Sequence, residues 1–373
     1  MAFRIKDRTG ILEHLNHTGS IMSINPKWKQ KFEVLKEYIA SNSEIYIDMH
    51  EISIPEHLRD KFYEYFDDIR NTFVDDFFAS LPIDVDTLCT NYNQAEKELI
   101  NCLKLERIDF PVDLMSFLHN PRDGMVRWLY NRLFEVIQGK ITIEEFEQMA
   151  ENDLFATTAE MYRFGYETWA IFTLIISFEP DETRSVELDE EYNPIVGELR
   201  EIAFGRQFYH TTRRIPEFVI HSKKLNSYIA VKIPLARVVD GYYLPHEIPK
   251  KMLRDRTGDT SYVLDSRIMF LSMLENLDDI PVYAEIAERK FESPDVIIEF
   301  LTEEDLADTD KISQFKNRAG IMEPRLGSTI VVMNPGEEPV SGSLTEGIDK
   351  YSAGFDKVKL GSVIDKLMAG KEV

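Results

Sequence analysis

The feature that most restricts the fold is an aromatic stripe. Phe62, Phe66, Ile69, Phe73 and Phe77 recur every three or four residues, the spacing that lines one face of an α-helix. Glu64, Asp68 and Asp75 stand between them, so the other face is solvated. A helix with an aromatic face of this kind buries it against other helices, and core packing rather than a cofactor or lipid pocket explains the stripe.

More helices are punctuated on either side. Asn25-Pro26 supplies an N-cap and a proline at the first helical position, ahead of Trp28, Phe32, Leu35 and Ile39. Ser53 with Glu56 forms a capping box before the aromatic helix. Asn93 with Glu96 opens a third helix through Leu99 and Leu103. Asn120-Pro121 opens a fourth through Met125, Trp128, Leu129, Leu133 and Val136, stopped at Gly139. Thr142 with Glu145 opens a short helix to about Met149, and Thr157 with Glu160 begins the last long one, which ends before Pro180. One strand-like piece, 44–52, lies among them. The apolar run 169–178 would span about 15 Å as helix, half of a bilayer core, and reads as a buried helix.

After an acidic stretch the pattern changes. Runs at 217–220 and 228–233 are β-branched or aromatic and of strand length, and 296–301 and 329–333 read as buried strands. Helical candidates fall at 246–256, 261–277, 281–290 and 303–318. The tail after Asn334-Pro335-Gly336 is richer in Gly and Ser, with one helix at 359–369. The expected fold class is therefore α+β. A mainly helical, bundle-like domain (1–180) is followed by an acidic linker (181–193) and a mixed α/β domain (194–373) with a flexible C-terminal tail. A chain of 373 residues buries enough surface to fold without a metal or a disulfide.

Cysteine is scarce, with Cys89 and Cys102 alone. Their separation fits no Cys-x-x-Cys motif, which favours a reducing, cytoplasmic setting. The charged start, 1–8, lacks the apolar stretch of a secretory signal. Asp84 and Asp86 near Cys89 would raise a thiol pKa, so both cysteines read as small buried thiols rather than nucleophiles.

Charge is distributed unevenly. The chain holds 66 acidic and 43 basic side chains, a net charge of −23. Residues 1–199 carry −19, residues 200–256 carry +7 and residues 257–373 carry −11. The basic island centres on Arg206, His210, Arg213 and Arg214, followed by His221, Lys223 and Lys224, with a second cluster at Lys250, Lys251, Arg254 and Arg256. Three readings compete. The island compensates the acidic remainder of the chain. It holds a phosphate or carboxylate, for which Arg supplies planar paired donors. Or it lines a nucleic-acid groove, which a net charge of −23 opposes.

Catalytic signatures are missing from the sequence. There is no Gly-x-Gly-x-x-Gly, no Gly-x-x-x-x-Gly-Lys-Ser/Thr, no Gly-x-Ser-x-Gly and no His-Glu-x-x-His. No His follows a Glu by three residues, so the di-iron helical pattern is missing too. Asp48, His50, Glu51, Glu56 and His57 are metal-capable in type but match no named spacing, and a polar strand face ahead of a capped helix explains them. His14 and His17 read as part of a solvated turn. No metal site and no cofactor is assigned.

Two functions follow. The leading expectation is a non-catalytic interaction or assembly subunit, binding another protein or its own copies. The alternative is an enzyme or sensor for an anionic small molecule, held by Arg206, Arg213, Arg214 and His221, with His210 as acid or base near neutral pH. Neither reading involves nucleic acid or a membrane.

Overall fold

The computed structural model describes residues 26–81, 83–110, 112–203, 213–233, 268–285, 290–333, 342–345 and 348–371. It is an α+β fold, with helices first and a mixed sheet after them. Among the described residues no helix is long and apolar enough to cross a membrane.

Helices α1 (Lys27–Ser41) and α2 (Glu56–Ser80) are joined through a two-residue hairpin, β1 (Tyr46–Ile47) paired antiparallel with β2 (Ile52–Ser53). They are followed by α3 (Val85–Leu103), β3 (Arg107–Asp109), α4 (Val112–His119), α5 (Pro121–Ile137) and α6 (Ile143–Ser177). The aromatic stripe does what its spacing requires: Phe62, Phe66, Ile69, Phe73 and Phe77 are all fully buried. Trp28, Phe73 and Phe146 meet at ring separations of 5.2–5.4 Å. Phe66 lies 4.4 Å from Phe134, and such contacts add to simple area burial.

Several local expectations give way. The strand-like piece 44–52 is a hairpin folded about Asp48, whose Oδ1 accepts from His50 N and Glu51 N at 2.7 Å each. Ser53 does not cap α2. It pairs with Tyr46 in the hairpin, and α2 starts after Pro55 without a side-chain cap. Likewise Pro26 sits at the N-cap position of α1 and not inside it. Asn93 lies inside α3, because Asp84 caps that helix earlier by accepting from Thr87 N at 2.9 Å. The expected pair of helices 142–149 and 157–180 is one helix, α6. No Gly or Pro interrupts it before Gly165, and its buried positions Phe146, Ala150 and Leu154 keep one period.

Asn120 does cap α5 and accepts from Asp123 N, with Pro121 at the first helical position. Gly139 ends that helix at φ +67°. Its N–H donates to Val136 O and the next, of Lys140, to Glu135 O, both at 2.9 Å, which is a Schellman termination. Thr142 and Glu145 then form the expected capping box reciprocally, at 2.8 Å and 3.1 Å.

The segment 181–193 is no linker. It forms most of β4 (Pro180–Leu188) and the turn into β5 (Pro194–Glu198). Asp189 closes the turn by accepting from Glu191 N and Asn193 N at 2.8 Å each. The acidic residues are the solvated positions of a hairpin whose Val186 is buried.

Among the described residues, strands β8 (Phe218–Ser222), β9 (Ser227–Lys232), β10 (Ile268–Leu274), β13 (Val296–Thr302), β14 (Ser328–Met333), β15 (Gly342–Thr345) and β16 (Ile348–Ser352) form a nine-stranded sheet with β4 and β5. Its order is β15-β16-β14-β13-β10-β9-β8-β4-β5. β13, β14 and β16 are parallel neighbours, and the other pairings are antiparallel. The crossover from β13 to β14 contains α7 (Glu303–Ala307) and α8 (Thr309–Met322), and α9 (Lys357–Lys371) follows β16. The tail expected to be flexible therefore contributes two strands and a helix. The helix expected at 261–277 is replaced over its described part by β10, a seven-residue apolar run of the kind periodicity cannot separate from buried helix. At 281–290 the described residues form β11 (Ala284–Glu285) and the start of β12 (Lys290–Phe291). The candidate helix 246–256 lies outside the described residues. Short strands β6 (Glu201–Ala203) and β7 (Arg213–Arg214) pair with β3 and β11 respectively.

Two compact units result. One comprises residues 1–89 and 115–162, the other residues 90–114 and 163–373. Their boundaries fall inside α3, α4 and α6, and not at the expected 181–193. The helical unit is built around Trp28 and the aromatic stripe. In the second unit Tyr92, Phe110 and Phe172 form one aromatic group, and Tyr166, Trp169 and Phe355 another.

Candidate functional site

The basic island falls only in part within the described residues. Arg206 and His210 lie outside the described residues. Arg213 and Arg214 form β7, where the register sets them opposite Glu285 and Ala284 of β11. His221 belongs elsewhere: it lies on β8 opposite Tyr228 and Glu182, three residues and about 10 Å along the strand from Phe218. Its Nδ1 lies 2.7 Å from Asp181 Oδ1, and its ring meets Tyr228 edge-on at 5.0 Å. The hydrogen bond from His221 holds the Asp181 carboxyl below its ordinary range. Tyr228 Oη in turn donates to Glu182 Oε2 at 3.0 Å, and Arg184 Nε donates to the other Glu182 oxygen at 3.0 Å. The imidazole faces a carboxylate here, on a strand of the sheet that holds β4 and β9, whereas β7 pairs in the separate sheet β12-β11-β7.

A second polar pair, Glu217 and Lys232, went unread in the sequence. Lys232 Nζ donates to Glu217 Oε1 at 2.9 Å, and Ile233 N donates to Oε2 at 2.6 Å. Lys232 is buried. Burial pushes the Glu217 carboxyl up, against the pull of Lys232. Each charge neutralises the other, so the pair offers no surplus charge to a ligand. Nearby, Tyr283 is fully buried with its hydroxyl 3.0 Å from Ser272 Oγ.

Of the metal-capable residues, Asp48 and His57 have partners in the structure. Asp48 accepts from Tyr46 Oη at 2.5 Å as well as from the turn N–H groups, and His57 Nε2 stands 3.7 Å from Glu44. Among the described residues no three His, Cys, Asp or Glu side chains converge to hold a metal ion. Cys89 is buried and its Sγ lies 3.7 Å from Phe117 O. Burial, with Asp86 adding to it, pushes the thiol up to about 12, so it stays protonated and unreactive near neutral pH.

The feature that stands out lies in the helical unit. An open groove of about 490 Å³ is lined by Phe32, Leu35, Lys36, Ile39 and Ala40 of α1, Ile47 of β1, Val136 and Ile137 of α5, and 141–143. Its construction follows from the local structure already given. Phe32 and Leu35 form the buried floor, and Ile39 continues their stripe one turn further, half-exposed. The Schellman turn at Gly139 and the capping box at Thr142 fix the opposite wall and place Ile141 and Ile143 on it, half-buried. Gln138 Nε2 donates to Asp48 O at 3.1 Å and ties the end of α5 to the hairpin that carries Ile47. Among the described residues Lys36 is the one ionisable lining residue, and its ammonium is engaged with Glu33 at 3.0 Å. Such a surface suits apolar side chains; its polar lining among the described residues is Lys36, engaged with Glu33, and Thr142, engaged in the capping box. The sequence showed Ile39 and Val136 only as members of helical stripes. The isoleucines at 137, 141 and 143, crowded round a helix stop and a helix start, were the overlooked signal.

No protein-family model matches this chain, and neither a curated protein nor a solved structure matches it.

Proposed function

We propose that the chain is a non-catalytic interaction subunit whose helical unit docks an apolar segment of another protein. The observation that carries this reading is the groove between α1, the β1–β2 hairpin and the α5–α6 turn. Pockets for small molecules are concave and carry a few convergent polar groups that orient the ligand. This groove is open and almost wholly apolar, which suits side chains presented on a partner backbone. Burying one Leu- or Phe-sized anchor contributes about 1.5–3 kcal/mol, so two or three anchors support a specific complex. The anionic surface around it makes a cation-flanked apolar segment the complementary partner.

A two-bait experiment tests the reading. Parent protein and an Ile39→Ser/Ile137→Ser variant with the same melting temperature are used to isolate partners. A protein retained by the parent, lost by the variant and binding again when purified supports docking in the groove. Equal retention by both baits places the interaction elsewhere. A co-purifying apolar small molecule, seen by native mass spectrometry and lost in the variant, overturns the reading in favour of a ligand pocket.

A further inference from the structure

Resting on the docking role proposed above, we infer that the occupant of the groove is an amphipathic helix with cationic flanks. Two independent observations carry this: the backbone chemistry of the groove walls and the charge around its rim.

The walls decide the secondary structure of the guest. Most of the lining comes from α1, the end of α5 and the start of α6, where backbone groups are bonded within the helices or, at their ends, to the adjoining turns: Asn42 N donates to Ile39 O, Gly139 N to Val136 O and Phe146 N to Thr142 O. An extended peptide laid along such walls would leave its own backbone groups unpaired against isoleucine side chains, which is costly. β-Augmentation needs a sheet edge, and Ile47 belongs to a strand of two residues. A helix satisfies its backbone internally and presents side chains at i, i+3, i+4 and i+7, the repeat suited to an apolar groove.

The rim decides the charge of the guest. Within two residues of a lining position stand the carboxylates of Glu33, Glu37, Asp48, Glu135, Glu144 and Glu145, against Lys31, Lys36 and Lys140. Lys31 is paired with Asp68, Glu33 with Lys36 and Glu135 with Arg132. Glu37, Asp48, Glu144 and Glu145 have no ion pair among the described residues, and Lys140, which donates to Gln138 Oε1, is the remaining cation of these segments. The excess extends over the unit: residues 26–89 and 115–162 hold 22 acidic side chains and 11 basic ones. The same unit of a second copy would bring the same negative surface, whereas Lys or Arg flanking an apolar stripe complements it.

The test uses four labelled synthetic peptides of about 18 residues, enough for five helical turns. One has a Leu stripe with Lys flanks, one the same stripe with Glu flanks, one is a scramble of the Lys peptide, and one is the Lys peptide broken by two central prolines. Binding is followed by fluorescence anisotropy at low and at physiological salt. The expected result is that the Lys helix binds at least about tenfold tighter than the other three and weakens several-fold with salt. Glu37→Gln/Glu144→Gln should weaken it further, and Ile39→Ser/Ile137→Ser should abolish it. Equal binding of the Glu peptide overturns the cationic inference and leaves docking standing. Equal binding of the proline peptide overturns the helical inference alone. Equal binding by the Ile39→Ser/Ile137→Ser variant means the peptide rides on acidic surface, and docking falls with it. If no peptide binds, the inference is wrong, and the two-bait experiment decides the docking role separately.

Discussion

Arg163 donates from Nη2 to Asp305 Oδ2 at 2.6 Å, across 142 residues of chain. Lys311 Nζ approaches the other oxygen at 2.6 Å and Thr302 N donates at 3.0 Å. Asp305 also caps α7 reciprocally, its own N–H donating to Thr302 Oγ1 at 3.1 Å. Burial by itself would raise this carboxyl. The Arg163 charge and the bond from Lys311 outweigh it and hold the carboxyl down at about 2, against an ordinary 3.8. A depressed carboxyl contributes stability that is complete above the unfolded value and is lost as pH falls through the folded one. Asp305→Asn should therefore cost about 2–3 kcal/mol at neutral pH. The gap between variant and parent should narrow below about pH 4. Urea unfolding of both proteins between pH 3 and pH 7 checks this, and a gap that does not change with pH refutes it.

Glu217 and Lys232 make the opposite case. Here burial is the largest influence and raises the carboxyl, so ionising Glu217 is harder in the folded chain than in the unfolded one. Stability attributable to Glu217 falls as pH rises from its ordinary value towards its folded one. Lys232→Met leaves a buried carboxylate without its cation and should cost about 3–5 kcal/mol at neutral pH. Glu217→Leu in the same chain should restore much of that loss, because an apolar pair replaces a desolvated ionic one. The double-mutant cycle is read from chemical unfolding. Strict additivity of the two changes would show that the pair is not coupled.

Legibility followed the range of the interactions. Elements set by local spacing could be read directly: the aromatic face of α2, the Asn120 cap, the Thr142 capping box and the strands expected at 217–220 and 296–301, which are found at 218–222 and 296–302. What misled was local chemistry overruled at a distance. Ser53 would cap a helix if Tyr46 did not hold it in a hairpin. The acidic residues of 181–193 look like a solvated linker until β8 pairs with β4. Ile268–Leu274 has the apolar content of a buried helix, and only its neighbours β9 and β13 make it a strand. His221 stands close to Arg213 and Arg214 in sequence, and its partner Asp181, 40 residues away, could not be read from that spacing. The groove could not be seen for a related reason: its walls come from 32–47 and 136–143, two segments joined in space by packing.

The turn between α5 and α6 is the hinge point of the groove's architecture. Gly139 has φ +67°, and a Cβ built there meets nothing within 4 Å. Any cost of Gly139→Ala is therefore conformational and should be about 1–2 kcal/mol, the penalty for an L-residue in the left-handed region. Gly139→Asn should recover part of it, since Asn tolerates that region better. Thermal melts of the two variants rank them, and equal loss in both would point to a clash that the open space around Gly139 does not predict.

The groove separates stability from binding along one helix. Leu35 is fully buried and touches the floor of the unit's core, so Leu35→Ala should cost about 2–5 kcal/mol. Ile39, one turn later, is half-exposed and lines the open side. Losing its side chain removes little that is buried, and Ile39→Ser should change stability by less than about 1 kcal/mol. Ile39 presents the apolar surface and Leu35 supports it from beneath, so both variants should lose a docked guest, the first through loss of the fold and the second with the fold intact. Circular dichroism melts give the stability order. A large destabilisation by Ile39→Ser would mean that this residue seals the core, and the open side of the groove would then belong to folding and not to a partner.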